Sequence, residues 1–386
     1  MKKKIRILRI VSSLDPKYGG PSKTIIDSSV TLNKQGFKVD ILTNDNENSI
    51  FFKSKKINII NKGPGLGNYC FNLKLFFWLL KNRNNYEQFI IHGVWEFNTL
   101  IARILLKNRF YVFTHGQLDP FFGSQNAKKI KKQIYWNLFE KKNLLYSKSL
   151  LLTSENEKKL LNNTYVDTKN IKKTVIRYGI NRPKFNKNKS IKIFYKKFPK
   201  LENKRFLLFL GRFHEKKGCE ILIRSTKKIL DNKTNIYILM AGPNNNYKDK
   251  LKVLSSRCKL DNNIFWTDII LKDLKWGAIS ASQGMVLSSH GENFGVSLVE
   301  SLSCSRPVLT TNKVNIYREI LNSRAGLISK NNVNSFYSIL KKFNHLSKAN
   351  IKKLNVNSLK CFKKNFDLSL TKKSLGKLLS KEYNKN

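Results

Sequence analysis

Ser288-Ser289-His290-Gly291-Glu292-Asn293-Phe294-Gly295-Val296-Ser297-Leu298-Val299-Glu300 carries two glutamates with seven residues between them, across a glycine-containing loop that runs into an apolar-periodic segment. Gly295 permits a tight backbone entry. Val296, Leu298, Val299 and Leu302 supply the apolar positions of a helix that starts near it. The first free N–H groups and the dipole of such a helix face the loop and favour an anion there. Glu292 lies just before the helix and Glu300 about one and a half turns inside it, roughly 8 Å further along the axis at the usual rise. Two acceptor-only carboxylates flanking an anion site suit a ligand with a phosphate in its middle and hydroxylated rings at its ends. A nucleotide sugar has that shape.

Two glutamates at this spacing, taken alone, read as solvated helix charges; the flanks decide otherwise. A strand-like Gly284-Met285-Val286-Leu287 precedes the loop, and Cys304-Ser305-Arg306-Pro307-Val308-Leu309-Thr310 follows the helix with a proline stop and another strand. Strand, loop, helix, strand is a phosphate-binding unit of a parallel sheet. The same alternation runs through the chain. In the first half it gives strands at Ile5 to Val11, Lys38 to Thr43, Phe89 to His92, Phe110 to Thr114, Ser149 to Thr153 and Lys173 to Arg177, with helices from Thr24 to Gln35 and from about Asn72 to Lys81. A lysine-rich polar interval from Asn181 to Asn203 precedes a second series, with strands at Phe206 to Leu210, Ile236 to Met240 and Ile264 to Trp266. An α/β architecture with parallel sheets follows, with the domain boundary inside that interval.

At 386 residues the chain can form two domains, each burying its own core. The net charge of +49 would ordinarily suggest nucleic acid or an anionic membrane surface. The lysines are dispersed through every segment, as an AT-rich coding bias would leave them, and no helix-turn-helix, zinc or RNA-binding signature accompanies them. Five cysteines, odd in number and without a C-x-x-C pair, suggest a reducing compartment. Arg6 and Arg9 interrupt the apolar stretch after the basic start, which therefore reads as a first buried strand and not as a signal peptide. The run Leu73 to Leu80 is too short to span a bilayer. A cytoplasmic protein, or one peripheral to the inner face of a membrane, is expected.

Leu210-Gly211-Arg212-Phe213-His214-Glu215-Lys216-Lys217-Gly218 closes a strand and opens a helix. Arg212 and Lys217 can both reach a diphosphate at the carboxyl edge of the sheet, although a basic loop in so basic a chain can also be only that. In the first half, Asp15-Pro16-Lys17-Tyr18-Gly19-Gly20-Pro21-Ser22 sets paired glycines between a strand and a helix, where backbone N–H groups can approach a ligand. Ile91-His92-Gly93-Val94-Trp95 and Thr114-His115-Gly116-Gln117-Leu118-Asp119-Pro120-Phe121 both end strands with a His-Gly pair. A histidine at a strand end is often only structural.

These motifs together resemble the donor-site signature of the retaining GT-B glycosyltransferases of the family 4 type, or glycosyl transferases group 1. The pattern is a serine-containing loop, E-x-F-G, a helix with a second glutamate, and a small-residue turn before P-V. The G-R-x-x-x-x-K-G element, the G-G loop and the histidine after a first-domain strand accompany it. The H-G-x-W and H-G-x-L-D-P pair resembles the subset that builds bacterial surface polysaccharides. Ser305 stands where the family usually has glycine, and Arg177-Tyr178-Gly179-Ile180-Asn181 where it often has P-N-G-V-D.

The resemblance implies an α/β GT-B fold, two Rossmann-like domains with parallel sheets facing across a cleft. It implies an acceptor-side domain over 1–190, a donor domain over 191–365, and a C-terminal helix over 366–386 returning toward the first. Arg212, Lys217, Gly19, Gly20, Gly295 and Val296 would bind the donor diphosphate, and Glu292, Asn293 and Phe294 the donor sugar. Glu300 would hold the ribose, and His115 and Glu292 would serve catalysis. The co-substrate is a nucleotide-diphosphate sugar, with no metal or further cofactor expected, and the acceptor is a hydroxyl of a glycan or lipid-linked molecule. The stretch Ser124 to Tyr146 adds Lys128, Lys129, Lys131 and Lys132 to Ile130, Ile134, Trp136, Leu138 and Phe139. It can lie on anionic lipid or pack its apolar stripe on its own sheet. A GT-B hydrolase or epimerase of nucleotide sugars is the alternative enzyme, and a basic nucleic-acid-binding protein the alternative outside enzymes.

Overall fold

The computed structural model describes residues 4–16, 21–52, 56–119, 126–162, 166–232 and 235–383. The chain divides into two compact units, Met1–Gly179 with Leu368–Asn386, and Ile180–Asp367. The first holds seven strands: β1 Arg6–Val11, β2 Lys38–Asn46, β3 Asn58–Gly63, β4 Gln88–His92, β5 Phe110–Phe113, β6 Ser149–Leu152 and β7 Lys173–Val175. They form one parallel sheet in the order β3-β2-β1-β4-β5-β6-β7. The second unit holds β8 Phe206–Leu210, β9 Tyr237–Ala241, β10 Ile264–Thr267, β11 Gly284–Leu287, β12 Val308–Thr311 and β13 Gly326–Ser329. Its parallel order is β10-β9-β8-β11-β12-β13.

Parallel strands covered on both faces read as near-continuous apolar runs, and β8 (FLLFL) and β11 (GMVL) do so. The abundant asparagines have a local use. Asn72, Asn186, Asn245 and Asn332 each stand at a helix N-terminus, where the side chain accepts from the N–H three residues on.

One segment differs from the reading of the sequence alone. The interval from Asn181 to Asn203 contains the helix Lys187–Lys197 of the second unit, whose Phe194 is fully buried. Gly277, on the helix Lys272–Ala281, allows that close approach, because a Cβ there would collide with the carbonyl of Ser190. The basic stretch is helical without a gap, as Asn126–Tyr135, a π-helical turn Trp136–Glu140 and Lys141–Leu145. The C-terminal stretch forms two helices, Lys348–Asn365 in the second unit and Leu368–Tyr383 in the first. The latter is fastened where Gln88 Nε2 donates to the Leu379 carbonyl at 2.8 Å.

Candidate functional site

In the second sheet β8 and β11 are neighbours although β9 and β10 lie between them in sequence. The chain therefore leaves β8 toward one edge and returns to build the other. The carboxyl ends of this pair are a topological switch point, where open α/β sheets hold their ligands. The loops after the two strands are joined there. Ser288 Oγ donates to the Gly218 carbonyl at 2.7 Å, His290 N donates to the Lys216 carbonyl at 2.8 Å, and the Lys217 ammonium pairs with the Glu292 carboxylate. Gly218 adopts φ +60°, and a Cβ on it would run into the Ser288 carbonyl oxygen, so the close approach of the two loops requires glycine.

The Glu292 backbone is fixed from the other side: its N–H donates to the Lys313 carbonyl at 3.1 Å, and its carbonyl accepts from Asn315 N at 2.8 Å. Burial acts to raise the Glu292 carboxyl, but the Lys217 ammonium outweighs it. Assisted by Lys216 and the Gly295 N–H, it holds the group below its ordinary value. Three residues on, Gly295 turns the chain into the helix Val296–Ser303 with φ +70° and supplies no side-chain cap. Leu298 N donates to the Gly295 carbonyl at 2.9 Å, so within the first turn it is the Val296 and Ser297 N–H groups that have no partner among the described residues.

Arg212 is exposed and has no hydrogen-bond or ion-pair partner among the described residues. Asn293 Oδ1 accepts from Asn315 Nδ2 at 3.2 Å. The Phe294 ring is buried edge-on against Phe366 with centroids 5.8 Å apart, so the ring is taken up in packing. Glu300 is paired with Lys275 at 2.7 Å, and the Lys275 ammonium lies 4.2 Å from the centroid of the Trp276 ring. Lys275 escaped the reading of the sequence, since no spacing ties residues on separate helices. The structure brings Lys217, Glu292 and Gly295 together and gives Glu300 a cation of its own.

The first sheet reverses between β1 and β4, and its switch point is also occupied by polar side chains. Gly19 and Gly20 lie outside the described residues. Ser12, just after β1, donates to Glu96, just after β4, and accepts from Asn98 Nδ2 at 3.0 Å. Burial pushes the Glu96 carboxyl up to about 7, against the Ser12 hydrogen bond and with Glu140 adding to the rise. Arg9, in the middle of β1, is 1% exposed. Its Nη1 donates to the Ile25 carbonyl at 3.1 Å, Ser28 Oγ at 2.7 Å and Ser29 Oγ at 3.0 Å, and its Nε donates to His92 Nε2 at 3.0 Å. His92 Nδ1 in turn lies 2.9 Å from His115 Nε2.

Burial, reinforced by Arg9, holds His92 well below the ordinary histidine range and His115 down at about 4. The two His-Gly loops are tied together as well. Gln117 Oε1 accepts from Val94 N at 2.6 Å, and the Gln117 carbonyl accepts from Trp95 Nε1 at 3.2 Å. Arg9, Ser12 and Glu96 were not singled out from the sequence. A charge inside the apolar Leu8-Arg9-Ile10 run was the available signal, because a charged residue in a central strand must find partners.

Residues 190–356 match the family model described as Glycosyl transferases group 1. An uncharacterized glycosyltransferase, MJ1059 of Methanocaldococcus jannaschii, is 26% identical over 227 residues, covering 58% of this chain and 55% of that protein. The chain thus spans about half the length of this curated relative. Among solved structures, a sucrose-phosphate synthase from Thermosynechococcus elongatus superposes with a TM-score of 0.79 at 17% identity, over 99% of this chain and 100% of that one. Anabaena Alr3699/HepE, crystallised in complex with UDP-glucose, superposes with a TM-score of 0.71 at 14% identity, over 98% and 100%. The fold is therefore GT-B, two Rossmann-like units each built on a parallel sheet, and the second unit contains the matched glycosyl transferases group 1 region.

Proposed function

We propose that this chain is a glycosyltransferase that moves a sugar from a nucleotide-diphosphate sugar to a hydroxyl of a glycan or lipid-linked acceptor, with retention of configuration, in the making of a cell-surface polysaccharide. The observation that carries the reading is the Lys217–Glu292 pair, set at the switch point of the second sheet beside the uncapped start of the helix Val296–Ser303. In this reading Arg212, Lys217 and the helix start at Gly295 and Val296 take the donor diphosphate, joined by Gly19 and Gly20: the Val296 N–H is the donor there, and Gly295, whose own N–H serves the Glu292 carboxylate, is the turn that lets a phosphate come close. Glu292 and the backbone of Asn293 and Phe294 take the sugar, and Glu300 takes the ribose. A Lys has three donors and no acceptor, so Lys217 can keep Glu292 while it grips a phosphate oxygen. These cations also meet the negative charge that grows on the departing diphosphate, the work a metal ion does elsewhere.

No carboxylate is assigned here as a nucleophile. The bond from the anomeric carbon to the phosphate oxygen breaks while the acceptor oxygen bonds on the same face, and the leaving phosphate takes the acceptor proton. His115 donates a hydrogen bond to the sugar. The relatives support the donor class, since Anabaena HepE is crystallised with UDP-glucose.

A membrane-borne acceptor has its own support. Trp136 is buried, but Ile130, Ile134 and Leu138 are 63%, 55% and 58% exposed, at four-residue spacing on a lysine-rich helical stretch. An aliphatic stripe that does not pack on its own sheet suits the boundary of an anionic lipid surface. Among the described residues no helix is long and apolar enough to cross a membrane.

The test is a screen of UDP-, GDP- and ADP-sugars for thermal stabilisation, followed by donor turnover with and without a glycan or lipid-linked acceptor. Stabilisation by one nucleotide class and acceptor-dependent turnover are expected. Turnover of the donor in water alone would move the assignment to the hydrolase or epimerase reading. Tight, salt-dependent binding of duplex DNA with no response to any nucleotide sugar would remove the enzyme reading.

A further inference from the structure

The hydrogen bonds of Arg9, His92 and His115 admit one arrangement of protons. A guanidinium has donors only, so the Arg9 Nε–H that points at His92 Nε2 requires an acceptor there. A neutral imidazole that accepts at Nε2 carries its proton at Nδ1, and that proton lies toward His115 Nε2 at 2.9 Å. His115 Nε2 is then the acceptor, and the single proton of His115 sits on Nδ1. Protonating either ring at the shared nitrogens would set donor against donor, at Arg9 or between the two rings. The rings are inclined by 22°, with centroids 5.2 Å apart, so the shared proton lies near both ring planes, where a ring nitrogen accepts.

The scaffold is built to keep this geometry. Arg9 is held in place at its Nη1, which donates to the Ile25 carbonyl and to two serines, Ser28 and Ser29. His115 has φ +46°, a left-handed backbone that few non-glycine residues adopt and that surrounding structure must hold in place. The preceding Thr114 is anchored by Oγ1 donating at 2.8 Å to Glu157, a buried carboxylate that also accepts from the Thr153 N–H at 2.7 Å. His115 Nδ1 has no partner among the described residues, and the residue is half-buried.

We propose that Arg9 and His92 are positioning residues that lock His115 as the Nδ1–H tautomer, so that its one proton is presented at Nδ1 to a hydroxyl of the bound sugar. This rests on the glycosyltransferase reading for the ligand, while the lock itself is a property of the first unit alone. His115 then stays a neutral donor across the range in which a free histidine gains its charge, since burial and the neighbouring Arg9 both oppose a second proton on it.

The chain has five histidines, so histidine-selective nitrogen labelling with single substitutions assigns His115 directly. In the wild-type chain, long-range proton–nitrogen spectra are expected to show a protonated, pyrrole-type Nδ1 and a pyridine-type Nε2 on His115, unchanged from pH 8 to pH 5. His92→Phe removes both polar ends; His115 should then revert toward the Nε2–H form that free imidazoles favour and titrate closer to the ordinary value of about 6.5. His92→Gln keeps a carbonyl for Arg9 and an amide N–H for His115, and should restore the wild-type spectrum.

With UDP-glucose as donor, His92→Phe should lower kcat roughly ten- to hundredfold with little change in KM, as for one lost charge-free hydrogen bond and a misdirected donor, and Gln should recover most of it. A wild-type spectrum with the proton on Nε2, or a tautomer indifferent to His92→Phe, overturns the lock. Should His92→Phe fail to fold, the wild-type spectrum still decides. A locked tautomer in a protein that turns over no nucleotide sugar would leave the lock standing and remove the catalytic reading.

Discussion

Replacing Lys217 by methionine separates what the Lys217–Glu292 pair does for the fold from what it does for a ligand. The two side chains are 21% and 18% exposed, and removing the ammonium strands a carboxylate in a site that water scarcely reaches. Breaking a fully buried pair costs about 3–5 kcal/mol. The residual exposure here brings the expected loss to about 2 kcal/mol, or a fall of about 4–8 °C in Tm for a unit of this size.

The pH dependence should change sign. In the wild-type chain Glu292 is held below its ordinary 4.5, so its contribution is present above that pH and disappears as the pH falls through the folded value. Without Lys217, burial is opposed only by Lys216 and the Gly295 N–H and should raise the carboxyl above 4.5, so that the variant loses stability as the pH rises. Adding Glu292→Gln removes the stranded charge, and the double variant should recover to within about 1 kcal/mol of wild type. Ligand binding should not recover. Losing a hydrogen bond to a charged phosphate weakens donor affinity by about 1.5–3 kcal/mol, more than tenfold, in both variants. Urea unfolding between pH 4 and pH 8, with and without UDP-glucose, measures all of this. A Lys217→Met chain as stable as wild type at pH 8, or one stabilised equally by the donor, refutes the reasoning.

Gly218→Ala should be more damaging than its single methyl suggests, because a left-handed residue at φ +60° and a collision with the Ser288 carbonyl act together. A loss of roughly 2–4 kcal/mol in urea unfolding is expected, with donor stabilisation lost as the two loops part; a loss under 1 kcal/mol would show that the loops have room to spare. Ile134→Ser with Leu138→Ser removes two exposed aliphatic side chains and should leave Tm within about 1 °C, while binding to phosphatidylglycerol vesicles falls more than tenfold. Equal sedimentation of the variant and wild-type chains with those vesicles would exclude this stripe as the lipid contact.

What the sequence discloses of this site follows from how a doubly wound sheet is made. Along one strand–loop–helix unit, the residues that meet a ligand are close in sequence, so E-x-F-G and the Arg212-to-Lys217 loop are readable as strings and so is the helix that begins after Gly295. At a switch point, the strands brought side by side are those the chain visits far apart. Lys217 meets Glu292 across β8 and β11, and Arg9 meets His92 across β1 and β4, separations of 75 and 83 residues that no local pattern encodes. The motif therefore named Glu292 and Lys217 separately but not the bond between them, and it passed over Arg9.

The lysine-rich interval after Asn181 misled for a different reason. Its lysines are exposed on the helix Lys187–Lys197, while Phe194 and Ser190 are buried and Ser190 seats it against Gly277; the apolar residues from Ile191 to Tyr195 are few and set among lysines, so they do not stand out in so basic a chain. Buried polar contacts between distant strands are expensive unless complete: their separation in sequence hides them from any local pattern, and the low dielectric around them makes them exacting once formed. A residue such as Arg9, with four donor contacts inside a β-sheet layer, is consequently a sharper pointer to a working site than a histidine at a strand end.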